Sequence, residues 1–140
     1  MTIKEIQEEI IDEFSMFEDW MERYEYIIDL GKSLTILQEE NKLDSNLISG
    51  CQSKVWLHSE MNNHKISFSA DSDAILTKGI VALLLRVFND QKPADILATD
   101  LFFVDEIGLK EHLSPTRANG LVSMIKQIKL YALAFQSKLS

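Results

Sequence analysis

The side chains with nucleophilic or metal-ligating chemistry are few: one cysteine, Cys51, and three histidines, His58, His64 and His112. Cys51 lies in Ser49-Gly50-Cys51-Gln52-Ser53-Lys54-Val55-Trp56. The glycine frees the backbone to turn and leaves the neighbouring thiol unshielded. The residues after it read as a β-strand, so the thiol stands at a loop-to-strand junction, where it can be presented to another molecule. Against this, a free cysteine commonly serves as a small buried hydrophobe. A cysteine hydrolase or transferase also needs a histidine base and an oxyanion hole, and the residues around Cys51 carry no papain-type or caspase-type signature. No Cys-x-x-Cys or His-x-x-x-His spacing is present, and a structural zinc site needs four ligands, so no metal is expected. There is no glycine-rich phosphate loop and no Gly-x-Ser-x-Gly elbow, so no cofactor is expected either. His58 falls on the polar side of a strand and His64 borders a turn, as surface histidines do.

Composition narrows the setting. A chain of 140 residues with 46% hydrophobic residues, two prolines and five glycines suits a single domain, residues 1–140, with a sizeable core. A net charge of −8 argues against nucleic acid as a partner, since phosphate binding needs clustered Lys and Arg. A single cysteine forms no internal disulfide, so the fold does not rely on an oxidising compartment. The N-terminus lacks a basic region followed by an apolar one, and the longest apolar run, Ile80 to Leu85, falls far short of the roughly 20 residues that span a bilayer. A cytoplasmic protein free of the membrane is expected.

The elements that must position Cys51 follow from periodicity. Ile3, Ile6, Ile10 and Phe14 mark an amphipathic helix over 3–14. A second runs from about Asp19 to Leu30 through Trp20, Tyr24, Ile27 and Ile28, with Gly31 as its C-cap. Phe17, Trp20 and Tyr24 have the spacing of a buried stripe rather than of an aromatic binding box. Residues 32–50 are irregular, tacked to the core by Leu34, Leu37, Leu47 and Ile48.

Lys54–Met61 and His64–Ala70 alternate around Asn62-Asn63, a hairpin over about 53–61 and 64–71. With Asn62-Asn63 as the turn, Leu57 pairs with Phe68 and Val55 with Ala70. On the other face Glu60 meets Lys65 and Lys54 meets Asp71. Parity turns Cys51 and Ser53 toward the apolar face, so the thiol is only partly exposed. Asp71-Ser72-Asp73 supplies the N-cap of a central helix over 74–89. Pro93 starts a short helical turn, and 101–113 forms further short turns. Ser114-Pro115 opens a last helix, whose stripe is Ala118, Leu121, Val122, Ile125, Ile128, Ala132 and Phe135. The fold class is α+β, a small antiparallel sheet packed against several helices.

Four separated motifs then resemble the SufE family, the sulfur-acceptor proteins of iron–sulfur cluster assembly. They are Gly50-Cys51-Gln52-Ser53-Lys54-Val55-Trp56; Asp19-Trp20-Met21-Glu22-Arg23-Tyr24-Glu25-Tyr26 with Leu30-Gly31-Lys32; Asp71-Ser72-Asp73-Ala74 with Lys78-Gly79; and Leu113-Ser114-Pro115-Thr116-Arg117 with Gly120. Asn62-Asn63 departs from the charge or glycine frequent at the family's hairpin turn. The resemblance implies a fold similar to the IscU-type scaffold. It further implies that Cys51 accepts persulfide sulfur from a pyridoxal-phosphate cysteine desulfurase of the SufS kind, stimulates that enzyme, and passes the sulfur to a SufB-containing scaffold. In this role the chain is a sulfur-transfer partner and not itself an enzyme. Gly50, Gln52, Ser53 and Asp73 are the expected partner-binding residues. Arg117 stands in the first turn of the last helix, where the helix dipole disfavours a cation, so it is a candidate for lowering the Cys51 pKa or for a surface salt bridge. Two other readings stay open: a cysteine-dependent hydrolase or transferase on a small molecule, and an interaction module with an inert Cys51.

Overall fold

The computed structural model describes residues 1–34, 37–51 and 53–139. Two helices come first, α1 (Ile3–Ser15) and α2 (Trp20–Lys32). Thr2 and Glu5 close a reciprocal capping box on α1, and the Asp19 carboxylate accepts the Glu22 N–H at 2.9 Å to start α2. Short 3₁₀ turns at Glu39–Asn41 and Asp44–Asn46 lead to the hairpin, β1 (Val55–Asn62) and β2 (Lys65–Ser72). There follow α3 (Ile75–Phe88), α4 (Pro93–Ala98), α5 (Phe102–Glu106), a 3₁₀ turn at Lys110–His112 and the long α6 (Pro115–Leu139).

Helix α3 is the centre of the core. Ile80, Val81, Leu83, Leu84, Leu85, Val87 and Phe88 are all buried, because α1, α2, β2 and α6 surround it. Ile75, at the first helical position and ahead of the surrounding elements, is exposed. Along α6, Leu121, Ile128 and Ala132 are buried as expected, while Val122 is exposed and Met124 is buried in its place. Gly31 does not cap α2: the helix continues to Lys32, with Ser33 at its C-cap. Gly31 instead faces Gly79 of α3. A Cβ on Gly31 would lie 2.8 Å from the Gly79 nitrogen, and a Cβ on Gly79 would lie 2.1 Å from the Ile27 carbonyl oxygen. Two glycines let the α2 and α3 backbones touch, a contact no side chain permits.

The hairpin forms with its turn one residue later than expected. Asn63 and His64 are the turn residues, with φ of 52° and 67°, the left-handed pair a type I′ turn requires. Asn62 opposes Lys65, Met61 opposes Ile66 and Leu57 opposes Ala70. Moving the turn by one residue changes each pairing by two, so every side chain keeps its face. Val55, Leu57, Ile66, Phe68 and Ala70 are buried as the alternation requires. What is lost is the charge pairing: Glu60 opposes Ser67, and Asp71 opposes Trp56. The gain is that Met61 meets the fully buried Ile66 instead of the exposed His64, and the surface ion pairs given up are worth little. Asp71 finds its cations elsewhere, Lys42 at 2.9 Å and Lys78 at 3.3 Å.

Both edges of this two-stranded sheet take bonds from neighbouring segments, which partly covers them. Ile48 N–H donates to the Val55 carbonyl at 2.9 Å, and the Tyr131 hydroxyl of α6 to the Leu57 carbonyl at 3.2 Å. On the β2 side, the Asn89 side chain accepts the Phe68 N–H at 2.8 Å.

Candidate functional site

Cys51 sits in the loop before β1, and the loop is shaped by its glycine. Gly50 has φ of +88°, a left-handed conformation. A Cβ there would also lie 2.5 Å from the Ser123 hydroxyl of α6, so Gly50 rests directly against that helix. The turn swings the next side chain inward. Cys51 is half-buried, and its thiol lies 3.7 Å from the Gly120 carbonyl oxygen, to which it donates.

The thiol opens into a narrow cleft of about 30 Å³, lined by Cys51, Ser53, Thr77, Ile80, Thr116, Arg117, Gly120 and Met124. That is room for one water-sized atom. One wall is the first turns of α3, through Thr77 and Ile80. The other is the first turns of α6, where Thr116, Gly120 and Met124 recur at i, i+4, i+8. Ser114 starts that wall: its hydroxyl accepts the Arg117 N–H at 3.3 Å, as the Ser-Pro opening predicts. Gly120 keeps the cleft open, since a Cβ on it would come to 3.5 Å from the sulfur.

Burial pushes the Cys51 thiol above its ordinary pKa, because a desolvated thiolate is disfavoured. This is opposite to the lowering for which the sequence makes Arg117 one candidate. Arg117 lines the cleft, but its residue is exposed.

The other candidates divide. Ser53 lines the cleft with Cys51. Gln52 lies outside the described residues. Asp73 neither lines the cleft nor caps α3, whose N-cap is Ala74 without a side-chain bond. Its carboxylate accepts the Lys54 N–H at 3.0 Å, and its own N–H donates to the Lys54 carbonyl. Asp73 therefore ties down the end of the cysteine loop. None of the three histidines lines the cleft. His58 bonds Glu60 at 3.0 Å, His64 is in the hairpin turn, and His112 stacks on Trp20 with centroids 4.0 Å apart. No group of three or more His, Cys, Asp or Glu among the described residues is placed to hold a metal ion.

Comparison with known proteins places this arrangement. The family model described as "SufE: Fe-S metabolism associated domain" matches residues 8–132. The chain belongs to the SufE family. An uncharacterized SufE-like protein of Rhizobium etli is 42% identical over 127 residues, covering 87% of this chain and 86% of that protein. One from Rhizobium meliloti (strain 1021) is 40% identical over 127 residues, covering 87% of this chain and 91% of that protein. The fold is shared with the solution structure of a hypothetical protein from Thermus thermophilus, at a TM-score of 0.78 and 16% identity, over 94% of this chain and 96% of that one.

Within this SufE-family chain, Thr77, Ile80 and Met124 are cleft residues that sequence reading does not mark. Ile80 reads as part of an apolar run, and Thr77 and Met124 fall outside the expected core positions, yet both are buried. A signal exists for their neighbour: a glycine inside a helix, as at Gly120, marks a close approach. No helix among the described residues is long and apolar enough to cross a membrane.

Proposed function

We propose that this chain is a sulfur acceptor and carrier, a single SufE-like domain acting in the cytoplasm. It takes persulfide sulfur onto Cys51 from a SufS-like, pyridoxal-phosphate-dependent cysteine desulfurase, stimulates that enzyme, and delivers the sulfur to a SufB-containing scaffold. The observation that carries this is the setting of the thiol: a lone cysteine on a glycine turn, half-buried in a cleft with room for one more atom, with no histidine beside it.

The transfer needs little from the acceptor. The Cys51 thiolate attacks the outer sulfur of the partner's Cys–S–SH. A new S–S bond forms, the old one breaks, and the partner cysteine leaves as a thiolate. The sulfane sulfur moves intact, so no external oxidant or reductant is required. A second cysteine would resolve the persulfide as a disulfide and release the sulfur early, and the chain has none. Partial burial shields the loaded persulfide from further oxidation. The same burial makes the unpartnered thiol a weak nucleophile, so the loop carrying Gly50 turns outward when the desulfurase docks, freeing Cys51 from the Gly120 carbonyl. Ser53 moves with it, and Asp73 anchors its end through Lys54. The hydrolase reading is disfavoured by the histidine positions.

Incubation with a desulfurase and cysteine tests the proposal. Cys51 should gain about 32 Da, one sulfur atom, and Cys51→Ser should neither gain mass nor stimulate the desulfurase. Undiminished stimulation by that variant would defeat the proposal. Hydrogen exchange at residues 49–53 should rise in the complex; unchanged protection would sink the loop movement.

A further inference from the structure

The Trp20-Met21-Glu22-Arg23-Tyr24 motif plays no part in the chemistry above, yet three of its side chains converge on one turn. Trp20, Arg23 and Tyr24 share a face of α2 at i, i+3, i+4. Arg23 donates through Nη1 to the Ile107 carbonyl at 3.2 Å and through Nη2 to the Phe17 carbonyl at 3.3 Å, while its carbon Cζ lies 5.1 Å from the Trp20 ring centroid. The Tyr24 hydroxyl donates to the His112 carbonyl. The His112 ring stacks on Trp20 at an interplanar angle of 14°, with its Nδ1 donating to the Gly108 carbonyl at 2.9 Å. The 107–112 turn is thus held at both ends from α2. Arg23 accepts a cost here, since its Nε is buried without a partner.

Two residues after His112 comes Ser114, the cap of α6, and Arg117 and Gly120 follow on the cleft wall. We infer that Trp20, Arg23 and Tyr24 are positioning residues for the Cys51 site: by clamping His112 they set where the start of α6 lies against the thiol. This inference rests on Cys51 being the working thiol of the proposed function.

Alkylation of Cys51 by iodoacetamide, followed against pH on the purified chain alone, tests it. His112→Ala removes the stack and should speed alkylation about tenfold at neutral pH, with the profile moving toward that of free cysteine. Tyr24→Phe, a milder change, should speed it less. His112→Phe keeps the stack and should stay within about twofold of the parent. Ile10→Val, on the buried face of α1, destabilises the fold without touching the clamp and should leave alkylation unchanged. The inference is overturned if His112→Ala and Tyr24→Phe alkylate at the parent rate, or if Ile10→Val speeds alkylation as much as they do. Because no desulfurase is present, failure here is separable from failure of sulfur transfer, which the mass measurement reads.

Discussion

Gly120 lies directly under Cys51: its carbonyl oxygen accepts from the thiol at 3.7 Å, and a Cβ on it would stand 3.5 Å from the sulfur. That distance is an ordinary contact, so Gly120→Ala should fold. It should even gain about 0.5–1 kcal/mol, the helix propensity of alanine over glycine. The added methyl occupies the cleft that a second sulfur would use. We expect a slightly higher Tm together with alkylation and persulfide loading slowed about threefold or more. Mass spectrometry of the loaded protein checks the second, and unaltered loading would mean the cleft does not hold the outer sulfur.

The raised Cys51 pKa sets a pH dependence with a definite sign. Below the ordinary thiol pKa, folded and unfolded chains both hold the proton. Above it the unfolded chain ionises while the folded one still holds its proton, so stability falls as pH rises. Tyr26 and Tyr131 are also raised, burial being the first cause of each, and act in the same direction at higher pH. The difference between parent and Cys51→Ser in urea titrations isolates the thiol: the parent should lose ground to the variant as pH rises past the ordinary thiol range.

Gly79→Ala should be severe. Its Cβ would lie 2.1 Å from the Ile27 carbonyl oxygen and 2.7 Å from the Ile27 side chain, and neither helix can withdraw without opening the core. A loss of about 3 kcal/mol or more is expected, measured by urea unfolding, with Gly31→Ala also destabilising for the reciprocal reason.

Arg86 joins α3 to α1 through Glu9 and Glu13, with Nη1 2.8 Å from the Glu13 carboxylate. The Arg86 guanidinium holds the Glu13 carboxyl below the usual carboxylate range, helped by the Tyr26 hydroxyl against partial burial. A depressed carboxylate stabilises the fold above its unfolded pKa and ceases to do so as pH falls through its folded one. Arg86→Met should cost about 2 kcal/mol near neutrality, discounted for its partial exposure. The gap to the parent should close as the solution is acidified, and a gap independent of pH would contradict this ion pair.

Periodicity alone determined a good deal of this protein. The number and order of the main elements, the apolar face of the hairpin and the opening of α6 at Ser114-Pro115 all follow from local spacing and capping. The glycine beside Cys51 marked the turn that carries it. These features are legible because each depends on residues a few positions apart. Gly31 misled for the opposite reason: near a helix end a glycine reads as a cap, and only the approach of Gly79, 48 positions away in the chain, makes it a packing residue. The hairpin turn stands at Asn63-His64, which sets Met61 opposite Ile66 and gives up two surface charge pairs worth little. The walls of the cleft were set by the tertiary structure alone. Thr77, Gly120 and Met124 reach Cys51 from two helices distant in sequence, and the burial that raises the thiol pKa exists only once those helices have packed.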